Sequence, residues 1–195
     1  MGDMSSTRTR LLPAERLLRA AAELFSREGI RAVGVDRILA EAGTARASLY
    51  QTYGSKDALI VAYMEQCHEE DRAALQRAVQ DEPDPVARIL RVFDLDARTA
   101  PDKGFRGCSY GNAVTEFPQV DHPVHAVVER HRKWLLTVWV RDLAALGVRR
   151  PAQTAEQLLL LHDGGLRRSQ FSRSVEPIVQ AREMAATAIA RELQD

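Results

Sequence analysis

Residues 40–59 read AEAGTARASLYQTYGSKDAL, and the fold turns on what the two glycines in this stretch do. Gly43 and Gly54 cut it into pieces too short to be stable alone, since a helix of seven or eight residues gains little from propagation once nucleation is counted. So short an element needs neighbours to pack on and a reason to stay short. Thr44 can cap it, and Leu49 and Tyr53, spaced i, i+4, share one face before Gly54 stops the chain.

Upstream, Val35, Ile38, Leu39 and Ala42 repeat a helical period, with Gly34 available as a cap, Asp36 placed to favour the helix N-terminus and Gly43 as the stop. Earlier still, Leu17, Leu18, Ala21, Leu24 and Phe25 form a stripe that opens near Pro13 and closes at Gly29. Downstream, Ser55 caps a fourth helix running through Leu59, Ile60, Tyr63, Met64, Leu75 and Val79 to about Gln80, roughly 35 Å at 1.5 Å per residue. Pro83 and Pro85, Pro101 and Gly104, Pro118 and Pro123, then Gly147 and Pro151 punctuate the remainder. These breaks predict helices near 85–99, 109–117, 121–146, 152–171 and 174–193, and no convincing strand alternation appears.

Two short helices joined by the turn Gly43 to Ala45 and braced by a preceding helix give the order of a helix-turn-helix. With Leu49 and Tyr53 inward, a rotation of about 100° per residue puts Ala47 and Gln51 outward, with Ser48 and Tyr50 on the flanks. Arg46, in the first turn, is long enough to reach the same side. Such a face can enter a major groove, where Arg reads guanine and Gln reads adenine through paired hydrogen bonds. Free backbone N–H groups at Ser55-Lys56, the lysine itself, and the hydroxyls of Tyr50 and Thr52 suit phosphate oxygens. Arg8 and Arg10 could trail along the backbone or enter a minor groove. Taken singly, each of these residues reads as a solvated surface side chain; their combination points to DNA.

Composition agrees with a soluble globular protein, 45% hydrophobic and 28% charged over 195 residues. With 27 basic and 27 acidic side chains no global field attracts a polyanion, so a nucleic-acid site must be local. Only Lys56, Lys103 and Lys133 are lysines; the arginine and alanine bias reads as genome composition or as a more demanding surface. Cys67 and Cys108 fit neither a disulfide framework nor a zinc knuckle, which suggests a reducing cytoplasm. No run of about 18 apolar residues exists to span a bilayer. Met1, Gly2 and Ser6 satisfy the loose MGxxx[ST] myristoylation pattern, which recurs by chance; the plainer reading is a disordered tail.

Gly34-Val35-Asp36 followed by Ile38, then Ala42-Gly43, Leu49-Tyr50, Tyr53 and Ser55-Lys56-Asp57-Ala58-Leu59 resemble the DNA-binding signature of TetR-family transcriptional regulators over about residues 13–60. The resemblance implies an all-helical homodimer with base contacts from the third helix and phosphate contacts from the positions of Tyr50, Thr52 and Lys56. Gly34 stands where the family often has Thr or Ser, Thr44 where Val is usual, and Tyr53 where Phe is common. The later chain resembles the family's variable regulatory domain more loosely, at GFRGCSYGNAVTEFP, DHPVHAVVERH and LLLLHDGG.

The expected organisation is a flexible arm over 1–12, a helix-turn-helix domain over 13–60 and a helical ligand-binding and dimerisation domain over 61–195. Phe93, Phe105, Cys108, Tyr110, Asn112, Phe117, Trp134 and His162, together with Leu95 and Trp139, supply the apolar set with a few polar groups that makes a pocket, though aromatics at helical spacing more often fill cores. Cys108 reads as buried packing or as a redox sensor. His122 and His125, with Cys67-His68 and His162-Asp163, could complete a metal site, but none has dedicated ligand spacing, so no metal, cofactor or catalytic group is expected. Leu158 to Leu161 with Gly164-Gly165, and the stripe Ile178, Ala181, Met184, Ala185, Ala188 and Ile189, serve either a monomer core or a subunit interface. The family resemblance favours a homodimer through residues 152–193, of antiparallel helices in a four-helix arrangement.

The expectation is thus a cytoplasmic, ligand-responsive regulator, a repressor that a small-molecule effector releases from a near-palindromic double-stranded operator, with Arg46, Ala47, Ser48, Tyr50, Gln51, Thr52 and Lys56 at the DNA. The alternatives are a DNA-binding regulator without a ligand and a helical-bundle metal-dependent enzyme or sensor.

Overall fold

Helix punctuation by proline and glycine carries over into three dimensions almost residue for residue. A computed structural model describes residues 12–194. Within them every regular element is helical: α1 (Pro13–Glu28), α2 (Val35–Ala42), α3 (Arg46–Tyr53), α4 (Lys56–Val79), α5 (Pro85–Thr99), α6 (Ser109–Glu116), α7 (Val124–Ala145), α8 (Pro151–Ser172) and α9 (Glu176–Glu192). None of these helices is long and apolar enough to cross a membrane. The chain divides into two compact units, 1–63 and 64–195. Arg8, Arg10 and the Met1, Gly2, Ser6 pattern lie outside the described residues.

In the first unit, Leu17, Ala21 and Leu24 of α1, Ile38 of α2, Leu49 of α3 and Leu59 at the start of α4 are all fully buried and form one core. Phe25 meets Tyr63 edge to face, with ring centroids 5.4 Å apart. Pro13 stands at the first turn of α1, where a missing N–H costs nothing, and Glu15 reaches back to accept the Leu12 N–H at 2.9 Å. Gly43 takes the left-handed conformation (φ 57°) while its N–H bonds Ala40 O and the Thr44 N–H bonds Leu39 O, the paired bonds of a Schellman stop.

That stop corrects one expectation. Thr44 is spent closing α2, its hydroxyl lies buried with no hydrogen-bond partner, and the N-cap of α3 is Ala45, which has no side chain able to cap. The cap of α4 is as expected: Ser55 Oγ accepts the Ala58 N–H at 3.0 Å.

In the second unit, α5, α7, α8 and α9 surround a core that includes Ile89, Phe93, Trp139, Leu143 and Leu158, with Phe93 and Trp139 stacked at 6.1 Å. α7 begins at Val124, not at 121, because Pro123 takes the cap position. At Gly165 α8 and α9 approach closely: a Cβ there would stand 2.8 Å from the Ala181 Cβ and 3.2 Å from Pro177 O, whereas at Gly164 it would meet nothing within 4 Å. The stripe expected on α9 divides accordingly, with Ile178, Ala181, Ala185 and Ile189 buried within the chain and Met184 exposed.

An ion pair ties α5 to α7. Asp142 is 1% exposed and accepts from Arg88 Nη2 at 2.9 Å and Nε at 3.3 Å, and from Arg141 Nε at 3.0 Å. Burial pushes its carboxyl up, but the hydrogen bonds from Arg88 and Arg141 outweigh burial and hold it below the usual carboxylate range.

Candidate DNA interface and ligand cavity

The face that α3 presents follows from its one buried residue. Leu49 is fully buried, while Arg46, Ala47, Gln51 and Thr52 are exposed, Tyr50 is 47% exposed and Ser48 is half-buried. Tyr53 is half-buried and its hydroxyl donates to Ala14 O at 3.0 Å, fastening the end of α3 to the start of α1. Gly54, at φ 80°, ends the helix one residue before the α4 cap. Arg46, Ala47, Ser48, Tyr50, Gln51, Thr52 and Lys56, expected to read bases or hold phosphates, thus sit on α3 or at the start of α4, while Arg8 and Arg10 lie outside the described residues.

Two of the cations are engaged within the unit. The Arg46 guanidinium pairs with Asp36 in the first turn of α2, and Lys56 Nζ donates to Ile30 O at 3.2 Å. Both differ from the outward direction expected of them, and Asp36 has a partner beyond its place at the helix N-terminus. A carboxylate ten residues before an arginine has no periodic signature, since the turn at Gly43 sets their approach. Arg37, beside Asp36, lies near Glu28 and Glu41 at 3.9 and 4.0 Å.

In the second unit, a cavity of about 120 Å³ is bounded by residues from α4, α5, α7 and α8 and by the 103–110 segment. Cys108, Tyr110, Trp134 and His162 of the expected set line it, as does Leu95. Phe93 lies beneath it, fully buried, with its ring edge against His162 at 5.4 Å. Phe105 borders a separate small depression. The Asn112 amide donates to Arg106 O at 2.7 Å, and Phe117 stacks on His122 at 4.2 Å; neither lines the cavity.

The polar part of the lining is mostly what the aromatic search missed. Tyr110 donates its hydroxyl to Asp71 Oδ2 at 2.7 Å and lays its ring on His131, with centroids 3.6 Å apart. His131 Nδ1 lies 3.2 Å from Nδ1 of His68, so one of these imidazoles donates and the other accepts. Across the cavity, His162 Nε2 and Asp96 Oδ2 are 2.7 Å apart. Burial pushes the Asp71 carboxyl up, against the lowering effect of the Tyr110 hydrogen bond. Burial, and then the neighbouring Asp71, keep the Tyr110 phenol protonated far above its ordinary value. Burial, with His68 and His162 nearby, pushes His131 down to about 3, so it is neutral at physiological pH.

A signal for these residues was present. Asp71 continues the stripe Met64, His68, Leu75; Asp96 continues Ile89, Phe93; His131 continues Val124, Val128, Leu135; His162 continues Ala155, Leu159, Leu166. Each is a polar side chain at an apolar position of its helix.

Cys108 and the histidines weighed as redox or metal groups have ordinary surroundings. Burial pushes the Cys108 thiol up, and its Sγ accepts the Gly111 N–H at 3.4 Å as the cap of α6. His125 Nε2 bonds Phe117 O at 2.7 Å. Among the described residues no group of three or more His, Cys, Asp or Glu side chains is placed to hold a metal ion.

Residues 17–63 match the family model described as Bacterial regulatory proteins, tetR family. A TetR-family transcriptional regulator from Streptomyces coelicolor has a solved structure that is 33% identical, with a TM-score of 0.77 over 94% of this chain and 95% of that one. A second, described as a putative TetR transcriptional regulator of Streptomyces avermitilis, is 29% identical, with a TM-score of 0.75 over 90% of this chain and 98% of that one. Two curated HTH-type transcriptional regulators of Mycobacterium tuberculosis are 34% identical over 103 residues, 51% of this chain and half the length of those relatives.

Proposed function

The chain belongs to the TetR family and is a DNA-binding transcriptional regulator, and from that premise we propose that it is a repressor released from its operator by a small molecule held in the second unit. The observation that carries the ligand part is the cavity, in which four helices each contribute a side chain at an apolar stripe position: Asp71, Asp96, His131 and His162. Burying polar groups among leucines costs stability unless they are satisfied, so their convergence on one hollow is the arrangement of a recognition site.

On DNA, Ala47, Ser48, Gln51 and Arg46 read bases in the major groove, and Tyr50, Thr52 and Lys56 hold phosphates. Lys56 then exchanges Ile30 O for a phosphate oxygen. The protein acts in the cytoplasm as a homodimer through residues 152–193. This is supported by Leu160 (72% exposed), Phe171 (67%) and Met184 (57%), apolar side chains exposed on the two helices whose other faces form the core. A two-fold dimer places half-sites about 34 Å apart or a multiple of that. α4 begins with the Ser55-Lys56 phosphate site, and its later turns carry Asp71 and Leu75 at the cavity, so a bound molecule can act on DNA affinity through this helix. A coupling of about 1–3 kcal/mol loosens the operator roughly 5- to 150-fold.

The test begins with selection of binding sites from a random duplex pool, then anisotropy titrations of the recovered sequence. Six to ten phosphate contacts across a dimer predict a loss of about 10³ to 10⁵ in affinity between 50 and 200 mM salt. Lys56→Ala weakens all duplexes alike, whereas Gln51→Ala relaxes preference at one base position. Operator binding that no compound in a thermal-shift library alters would remove the ligand from this reading and leave the regulator.

A further inference from the structure

On the reading that the cavity holds the effector, we propose that it selects a protonated amine carried on a single ring, a small cationic amphiphile. Size sets the ring. An interior of about 120 Å³ is near the ~150 Å³ of an engineered apolar cavity that binds benzene. Leu75, Val92, Leu135, Leu166 and the Trp134 ring supply the apolar wall.

Charge sets the amine. Asp71 and Asp96 face the cavity, and the protein donors they meet there are a phenol and an imidazole, which leave further acceptor positions on each carboxylate. No arginine among the described residues lines the cavity, and Arg72 is paired with Glu69, Arg91 with Glu82 and Asp94, Arg132 with Asp163, and Arg182 with Asp94. Lys103, which is exposed, also lines the cavity and partly offsets Asp71, so the charged lining is two carboxylates and one solvated ammonium. The burial that pushes Asp71 upward is what an ammonium beside it would relieve. Trp134, which lines the cavity, offers an indole ring with which the same cation can interact. An anionic ligand would bring a third negative charge into the site and is repelled.

The probes are phenethylamine, its neutral isostere 2-phenylethanol and its anionic analogue 3-phenylpropionate, each titrated calorimetrically into the full chain at pH 7. Phenethylamine binds at least ~10-fold more tightly than 2-phenylethanol, and 3-phenylpropionate gives no binding heat. Asp71→Asn and Asp96→Asn keep an acceptor for Tyr110 and His162 while deleting the charge. Each weakens phenethylamine by about tenfold and leaves 2-phenylethanol within about twofold, which also shows that the variant cavity is intact. Lys103→Gln, an exposed change that leaves packing alone, tightens phenethylamine. If 2-phenylethanol or 3-phenylpropionate binds as well as phenethylamine, the cationic class is wrong and the effector site stands. If none of the three binds the native chain, the single-ring amine proposal falls, and the effector reading is decided separately by the thermal-shift library.

Discussion

Asp36→Asn should make this regulator bind DNA more tightly, an outcome that follows from the pairing of Arg46. In the structure the Arg46 guanidinium is held by Asp36, with the two side chains 54% and 85% exposed. An ion pair that open to solvent contributes roughly 0–1 kcal/mol to folding. Asparagine at 36 still suits the first turn of α2, so the fold should lose no more than about 1 kcal/mol. To reach a base or phosphate, Arg46 must leave that carboxylate, at a cost of about the same 0–1 kcal/mol per subunit. The carboxylate also repels phosphates that come within a Debye length. Together these suggest about 0.5–1 kcal/mol per subunit, or about 1–2 kcal/mol for a two-fold dimer, a 5- to 30-fold gain in affinity.

Anisotropy titrations of a labelled operator duplex at 50 and 200 mM salt measure it, with a thermal melt as the folding control. The gain should shrink at the higher salt, and most of it should vanish in an Arg46→Ala background, where Asp36 has nothing to hold. Weaker binding by Asp36→Asn would refute the reasoning. It would mean that Asp36 positions Arg46 for the groove and does not compete with the DNA for it.

Three further outcomes concern the second unit. Arg88→Ala leaves the buried Asp142 carboxylate with Arg141 and should cost about 3 kcal/mol in urea unfolding, the lower end for an orphaned buried charge; a loss under about 1 kcal/mol would show that Arg141 suffices. Gly165→Ala drives a Cβ to 2.8 Å from Ala181 on α9 and should destabilise by about 1–3 kcal/mol, while Gly164→Ala, with open space around it, should be neutral or stabilising in the monomer fold. Below pH 6.5 an unfolded His131 takes up a proton that the folded one refuses until about pH 3, so stability falls with pH across that window, by up to about 1.4 kcal/mol per unit. Burial pushes His68 down as well and adds in the same sense, whereas the depressed Asp142 contributes its loss only lower, as pH falls through the carboxylate range. Urea midpoints at pH 7, 6 and 5 should therefore decline in the native chain, against the opposite contribution of the raised Asp71, and decline less steeply in His131→Phe; equal slopes in the two proteins would show that His131 carries none of the effect.

Why the helices were legible and the sites only partly so has one physical cause. A helix boundary is a local matter: Pro13, Gly29, Gly43, Gly54, Pro85 and Pro151 act on the backbone within one turn of themselves, so the sequence carries them openly. The outward face of α3 was legible for the same reason, since burying Leu49 orients its neighbours by rotation alone. Thr44 was misjudged because two local motifs compete for it, and the bond from its N–H to Leu39 O closes α2 before α3 can use the residue as a cap.

A cavity has no such local cause. The partner of Tyr110 lies 39 residues away in Asp71, that of His131 lies 63 away in His68, and that of His162 lies 66 away in Asp96. Which turn of α4 faces which turn of α7 depends on packing that no single periodicity records. What each helix does record is a misfit, one polar side chain at an apolar position. One misfit alone reads as a tolerated buried polar group; four of them, on α4, α5, α7 and α8, cannot all be satisfied locally and must find one another. Of the aromatic side chains at helical spacing, Tyr110, Trp134 and His162 line the cavity, whereas Phe93 is core beneath it and Phe117 stacks on His122 away from it. In a helical bundle of this kind the lining of a cavity is better sought where the apolar stripe fails than where it is strongest.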